Sequence, residues 1–138
     1  MKVKIEKTVN ILNKRARFEY EILEEYEAGI VLTGTEIKSL RSSKASITES
    51  FCQFIEDELY VINMMIDEYK LGTFYNHKIK RERKLLLHKY ELQKLKKKLK
   101  DVGNTVVPLK LYINDNGKAK LLISLARGKK LFDKREAI

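Results

Sequence analysis

The chain has 138 residues, of which 43% are hydrophobic and 35% are charged. This length suits one domain with one core, and a single cysteine excludes an internal disulfide. The first residues show no apolar leader and no run approaches the length of a membrane span. The sequence therefore predicts a cytoplasmic protein with no membrane partner.

Positive and negative charges are concentrated in different parts of the sequence. The net charge is +10, but residues 78–100 hold eleven bases against two acids, and residues 19–70 hold twelve acids against four bases. Such an uneven distribution steers polyanions towards particular faces of a folded protein. Nucleic acid is the expected partner.

The N-terminal part contains the first candidate binding segment. Residues 1–12 alternate weakly and are expected to form an arm or an edge strand. The basic segment Asn13-Lys14-Arg15-Ala16-Arg17 follows. It is either a solvated turn or a phosphate clamp, because closely spaced Arg and Lys match a sugar–phosphate backbone.

Two strands and a short helix are predicted between residues 18 and 44. Alternation over 18–22 favours a half-buried strand. The segment 24–29 leads from it into the apolar run 30–32, which favours a buried strand. Gly34 permits a chain reversal, and Thr35 is the expected helix cap. Helical spacing then turns three cations outward. These are Lys38, Arg41 and, in the following loop, Lys44.

The middle of the chain predicts a hairpin and a long helix. Residues 51–55 and 59–63 flank an acidic turn, which is typical of a hairpin, and an irregular loop is expected over 67–80. Residues 81–101 predict one amphipathic helix that ends before Gly103, with its lysines forming a solvated face or meeting RNA. Its apolar stripe comprises Leu85, Leu92, Leu95 and Leu99.

A second hairpin is predicted from residues 105–113 and 118–125. Asn116-Gly117 is the strongest turn signal in the chain. Alternation places Lys118 and Lys120 on one face of the second strand.

The first strand of this hairpin contains a proline. Pro108 lacks an amide hydrogen, so its strand is expected to lie at an edge or to contain a bulge. Leu109, Leu111 and Ile113 are expected to face one way, with Lys110 and Tyr112 facing the other.

Two blocks of strands separated by a helix predict a mainly β fold. The expected architecture is an OB-like antiparallel β-barrel with one long and one or more short α-helices, a class that binds oligonucleotides. The expected divisions are an arm at 1–12, an RNA-binding barrel at 13–132 and the start of a basic tail at 133–138.

Catalysis finds no support in the sequence. His77 and His88 lack cysteine or carboxylate partners at metal-ligand spacing, and no phosphate-binding loop or Ser-His-Asp pattern occurs. Cys52, between two phenylalanines, is typical of a small core residue. No catalytic residue, metal or cofactor is predicted, and a nuclease is the weakest of the functions considered.

Several motifs closely resemble the SsrA-binding protein family, also called small protein B. They are the sequence GTEIKSLR at 34–41 together with segments 27–30 and 44–45. The resemblance continues at 13–17, 83–87, 107–109, 111–112, 118, 120, 128–130 and 133–135, and so covers most of the chain from about residue 11. It implies an OB-like barrel with accessory helices.

The resemblance implies roles for three residues in binding the tRNA-like domain of transfer-messenger RNA. Lys120 would pair with a phosphate, and the Glu27 carboxylate would accept a hydrogen bond from an unpaired base. Leu86 would pack on a splayed base, although ordinary core packing is an equal alternative.

The implied function is non-enzymatic delivery of transfer-messenger RNA to stalled ribosomes. The implied partners are the tRNA-like domain, the decoding region of the small ribosomal subunit and an elongation factor, with the chain monomeric on the RNA. A structural ribosomal or rRNA-binding OB-fold protein is the alternative.

Two sets of site residues follow from the charge pattern and the resemblance. The RNA-binding set comprises Asn13, Lys14, Arg15, Glu27, Lys38, Arg41, Lys44, Arg83, Lys84, Leu86, Lys118 and Lys120. The ribosome-facing set comprises Lys129, Lys130, Asp133, Lys134 and Arg135.

The sequence departs from the family pattern at three places. Residues 79–81 are Ile-Lys-Arg where an Asp-Pro is usual, and Phe132 replaces a Tyr or His. The family continues in a long basic tail that lies in the message channel, whereas this sequence stops at Ile138. The chain is therefore expected to bind transfer-messenger RNA but not to support peptide tagging on stalled ribosomes.

Overall fold

The computed structural model describes residues 9–71 and 76–129, which form nine strands and three helices and make a mainly β protein. In chain order the elements are β1 Asn10–Leu12, α1 Ala16–Glu19, β2 Tyr20–Ile30, α2 Gly34–Arg41, β3 Ala45–Ser46, β4 Phe51–Ile55, β5 Glu58–Ile62, β6 Met65–Ile66, β7 Arg83–Leu86, α3 Lys89–Lys98, β8 Asn104–Ile113 and β9 Ala119–Gly128. None of the helices described is long and apolar enough to cross a bilayer.

Seven strands form one antiparallel sheet in the order β1-β8-β4-β5-β7-β2-β9. β9 also pairs with β8, so β8 has β9 along one edge and both β4 and β1 along the other. The pairing of β8 with β4 is limited to Cys52 and Val106. β3 and β6 form a separate two-stranded sheet.

Both predicted hairpins are present. β4 and β5 flank the acidic turn, and β8 and β9 are joined through Gly117, whose φ of 80° lies in the region that favours glycine. The Asn114 side chain accepts hydrogen bonds from the amides of Asn116 and Lys118 and fixes the turn.

The predicted bulge at Pro108 is confirmed, but one consequence was not anticipated. The register of β8 against β9 shifts between Pro108 and Lys110. Leu111 therefore packs in the main core, whereas Leu109 packs in a second cluster with Ala16. The expectation that Leu109 and Leu111 share a face is wrong because the extra residue of a bulge reverses the alternation.

The predicted helix over residues 81–101 is wrong at its N-terminal end. Residues Arg83–Leu86 form strand β7, and the helix begins only after its N-cap, His88. The Glu91 carboxylate accepts from the His88 amide at 3.0 Å, which is half of a capping box. Leu95 is buried in the core as predicted, whereas Leu85 reaches the core from a strand.

Residues 20–32 also differ from the prediction. β2 is one long strand in which Tyr26, Ala28 and Ile30 are buried, so the two separate strands predicted over 18–22 and 30–32 are replaced by one. The acids lie mostly on the exposed side of that strand. Thr33, not Thr35, is the N-cap of α2, and its hydroxyl accepts from the Glu36 amide.

Candidate nucleic-acid interface

One row of neighbouring residues crosses four strands near the β8–β9 turn. Leu86 on β7 is opposite Gly29 on β2, Gly29 is opposite Lys120 on β9, and Lys120 is opposite Tyr112 on β8. Cross-strand partners lie on the same face of a sheet. Leu86 is 52% exposed, so the core alternative for this residue is wrong and the row faces outward.

The missing side chain of Gly29 opens a cleft in this face, here called the Gly29 cleft. A Cβ atom at Gly29 would lie 3.4 Å from the Leu86 Cβ, so any larger residue would fill the space beside Leu86. The cleft has a volume of about 420 Å³. Its lining includes Gly29, Leu32, Ile37, Leu86, Lys118 and Lys120. The result is an apolar floor bordered by two ammonium groups.

Glu27 lies two residues before Gly29 and is exposed on the same side of β2. Its Oε2 accepts a hydrogen bond from the Tyr112 hydroxyl. The Nζ of Lys110 lies 4.9 Å from the centroid of the Tyr112 ring. Tyr112 therefore orients the Glu27 carboxylate while leaving its second oxygen able to accept from a ligand. Sequence reasoning missed Tyr112, although its alternation with Leu111 and Ile113 indicated an outward side chain.

Helix α2 and the loop that follows it present the three predicted cations on the surface. Lys38, Arg41 and Lys44 are all exposed, and the Lys38 Nζ lies 5.4 Å from the ring centroid of Tyr69. Within residues 9–71 and 76–129, none of these three side chains has a carboxylate within 4.0 Å. In the same ranges, no carboxylate lies within 4.0 Å of the exposed Lys14 or of Lys118 and Lys120 of the cleft. These six cations keep their charge available for phosphate.

The structure places Arg83 in the interior, and its prediction as an RNA contact is wrong. Arg83 and Glu36 both have side chains that are 0% exposed, and they form an ion pair at 2.7 Å. The Arg83 guanidinium also donates to the carbonyls of Met64 and Ile79, at 2.9 and 3.1 Å. No donor of Arg83 is left to meet a ligand.

The partly exposed Arg81 also contacts this pair. The three residues Glu36, Arg81 and Arg83 are here called the Glu36 network. Two nitrogens of Arg81 donate to the two Glu36 oxygens at 2.7 and 3.0 Å. Burial would raise the pKa of Glu36, but hydrogen bonds from Arg81, from the Thr33 amide and from Arg83 lower it to about 2. Burial lowers the pKa of Arg83, opposed by the Glu36 charge, and the guanidinium remains protonated.

Asn13 is also buried, which contradicts its prediction as a direct RNA contact. Its Nδ2 donates to the Pro108 carbonyl at 2.9 Å and its amide donates to the Leu109 carbonyl at 2.9 Å. Asn13 thus fixes the start of the basic segment to the bulge of β8.

Two other predicted contacts are exposed but already paired. Arg15 forms ion pairs with Glu19 and Glu49, both at 2.8 Å, and Lys84 pairs with Glu58 at 2.8 Å. Exposed pairs of this kind contribute little stability and can exchange partners. Both residues can therefore reach phosphate only after leaving their carboxylates.

The ribosome-facing set is described only at its first member. Lys129 is exposed, and its Nζ donates to the Arg17 carbonyl at 3.1 Å. Lys130, Asp133, Lys134 and Arg135 lie outside the described residues, as do Phe132 and the first eight residues of the predicted arm.

The remaining polar groups do not assemble into a metal site in the described ranges. No group of three His, Cys, Asp or Glu side chains is arranged there to hold a metal ion. His77 is buried between the Thr35 hydroxyl and the Ile66 carbonyl, at 2.8 and 2.9 Å. Burial raises the pKa of the Cys52 thiol, which disfavours its thiolate.

An outward cleft with an apolar floor, bordering lysines and an oriented carboxylate has the chemistry of a surface that binds unpaired nucleotides. The comparisons with known proteins agree with this class. The family model described as SmpB protein matches residues 10–138. The chain belongs to the SmpB protein family.

Relatives and a solved structure extend the match. The SsrA-binding protein of Flavobacterium psychrophilum is 63% identical over 132 residues, covering 96% of this chain and 88% of that protein. The SsrA-binding protein of Thermus thermophilus is 54% identical over 123 residues, covering 89% and 85%. A solved structure described as "tmRNA-SmpB: a journey to the center of the bacterial ribosome" is similar with a TM-score of 0.75 and 53% identity, covering 92% of this chain and 89% of that chain.

Proposed function

We propose that this chain binds the tRNA-like domain of transfer-messenger RNA and helps deliver it to stalled ribosomes. The observation that carries the proposal is the Gly29 cleft, because Leu86 and Lys120 are brought together on either side of Gly29 with Glu27 beside them. The names of its relatives and of the similar solved structure support the same partner. The chain acts as an adaptor that binds RNA and performs no chemistry.

Each group of the cleft has a distinct task. An unpaired base packs on Leu86, and the absence of a side chain at Gly29 lets the base come close to the sheet. Lys120, with Lys118, neutralises the phosphate of that nucleotide. Glu27 accepts a hydrogen bond from an exocyclic amino group, and Tyr112 holds its carboxylate in position.

Cations away from the cleft contribute affinity without reading a base. Lys14 and the α2 group Lys38, Arg41 and Lys44 contact phosphates. Arg15 and Lys84 add contacts where RNA displaces their carboxylates. Asn13 and Arg83 act indirectly, by fixing the segments that present these cations.

The architecture proposed for this function is an OB-like barrel spanning residues 13–132. The double pairing of β8, with β9 on one edge and β4 on the other, supports it. The arm precedes this barrel. The mostly basic set Lys129, Lys130, Asp133, Lys134 and Arg135 leads into a tail directed towards the decoding region of the small subunit. An elongation factor joins the delivery complex, the chain is monomeric on the RNA, and delivery takes place in the cytoplasm.

A binding competition separates this function from a structural role in the ribosome. A labelled transcript of the tRNA-like domain is bound by the purified chain and then challenged with an unlabelled rRNA fragment of equal length. The proposal predicts that the tRNA-like transcript itself competes at far lower concentration than the rRNA fragment. Equal competition, or preference for rRNA, would overturn it in favour of the rRNA-binding alternative.

A further inference from the structure

Two exposed aromatic rings stack on each other where α3 begins. The ring centroids of His88 and Tyr90 are 5.5 Å apart and their planes differ by 14°. Tyr90 is 68% exposed and His88 is exposed as well. Tyr90 is exposed and its ring is held nearly parallel to that of His88. It therefore presents a flat apolar surface to solvent, and unpaired bases stack on such surfaces.

The core does not use this aromatic pair. Leu92, Leu95 and Leu99 attach α3 to the core from its inner side. Tyr90, Gln93 and Lys97 are exposed and recur at the spacing of one helical face. The pair is therefore carried by an anchored helix and is not itself part of the packing.

The surroundings of the pair favour a polyanion. Lys97 lies about 10 Å from Tyr90 along the helix axis and on the same face. In the described ranges Lys97 has no carboxylate within 4.0 Å, whereas its neighbours Lys96 and Lys98 pair with Asp57 and Glu24. One cation on this face is thus available for a phosphate near the rings.

The pair also lies close to the Gly29 cleft. His88 follows Leu86 by two residues, which limits the distance between their Cα atoms to about 7 Å. This is about the spacing of adjacent nucleotides in an extended strand. A nucleotide next to the one in the cleft is therefore within reach of His88, the first residue of the pair.

We propose that the stacked His88–Tyr90 pair is a second RNA-contact site, on which an unpaired base of the bound RNA stacks while Lys97 contacts a phosphate. The proposal rests on the proposed function, since it takes the RNA to be the one held by the Gly29 cleft. It extends that interface from β7 onto the outer face of α3.

Affinity of three variants for the tRNA-like transcript tests the stacking role. Tyr90→Ala removes the ring and should weaken binding by at least about fivefold, since stacking of a base on an aromatic side chain contributes about 1–3 kcal/mol. Tyr90→Phe keeps the ring and should bind within about twofold of the wild type. Val102→Ala changes a residue that is 98% exposed just beyond α3 and serves as the control. Equal affinity of Tyr90→Ala and the wild type would overturn the proposal.

A spectroscopic readout separates stacking from an indirect effect. The chain contains no tryptophan, so Tyr90→Trp introduces a single tryptophan that can still stack and that can be excited apart from the tyrosines. Its emission should be quenched when the transcript binds, with affinity retained. RNA binding without quenching would overturn the proposal while leaving the Gly29 cleft intact. Failure of the wild type to bind the transcript would instead overturn the proposed function.

Discussion

The Glu36 network and the Gly29 cleft both contain cations, but they use them in opposite ways. In the network, Arg83 is 0% exposed and its donors are all taken by Glu36 and by backbone carbonyls. In the cleft, Lys120 has no carboxylate within 4.0 Å among the described residues. One set of charges is internally neutralised, and the other remains available to a ligand.

The two regions are physically joined. Glu36 lies on α2 and Arg83 on β7, and the same two elements supply Ile37 and Leu86 to the lining of the cleft. The buried ion pairs therefore fix the distance between two walls of the binding surface. Buried charge here sets geometry, and exposed charge supplies affinity.

Breaking the network should produce the largest effect on stability. Arg83→Met leaves the buried Glu36 carboxylate without one of its two arginine partners and should lower the free energy of unfolding by about 3–5 kcal/mol. Lys84→Ala, at the neighbouring exposed position of the same strand, should cost roughly 0.5 kcal/mol or less. Urea denaturation measures both values. Equal costs for the two variants would contradict the distinction between the buried charge of the network and charge at the surface.

Two adjacent leucines make the same comparison without charge. Leu85→Ala creates a cavity in the core and should cost about 2–5 kcal/mol of stability. Leu86→Ala should cost less than about 1 kcal/mol because the side chain is half exposed, yet it should weaken binding of the tRNA-like transcript. If Leu86→Ala destabilised the protein as much as Leu85→Ala, Leu86 would be a core residue and would leave the proposed site.

Acid titration tests whether the ionised Glu36 carboxylate stabilises the network. The pKa of Glu36 is lowered from 4.5 to about 2 in the folded protein, so the unfolded chain binds a proton in this range and the folded chain does not. The stabilisation that ionised Glu36 provides is complete above about pH 4.5 and declines as the pH falls towards about 2. The free energy of unfolding, measured across this window, should fall less steeply in Glu36→Gln than in the wild type. Parallel curves would show that Glu36 does not carry the effect.

Removing one cation of the cleft should barely change stability. Lys120→Ala should shift the free energy of unfolding by roughly 0.5 kcal/mol or less. The slope of log affinity for RNA against log salt should become shallower by about 0.7–0.9, the loss of one phosphate contact. Lys96→Ala is the matched control, since Lys96 already pairs with Asp57 and should leave the slope unchanged. An unaltered slope for Lys120→Ala would remove this residue from the phosphate contacts.

The hairpins could be predicted from sequence because their signals are local. Asn116-Gly117 specifies its turn within two residues, and alternation placed Lys118 and Lys120 on one face without any knowledge of the sheet. The bulge at Pro108 followed from the missing amide hydrogen, although its effect on the direction of Leu109 did not.

The errors arose where the deciding partner lies far along the chain. The leucines of 81–101 fit a helical stripe, and only pairing with β2 and β5 selects a strand for Arg83–Leu86. The prediction of Arg83 as an RNA contact is wrong because its buried partner, Glu36, lies 47 residues earlier in the chain. The Gly29 cleft depends on a register across four strands, which no local pattern specifies.

Cross-linking in cells tests the central claim most directly. A photoreactive benzophenone side chain at position 86 places a reactive group beside the Gly29 cleft, and the same group at position 55, an exposed residue at the end of β4, is the control. The account predicts that position 86 cross-links to the tRNA-like domain of transfer-messenger RNA and that position 55 does not. Cross-links from position 86 to ribosomal RNA alone, or equal yields from both positions, would contradict it.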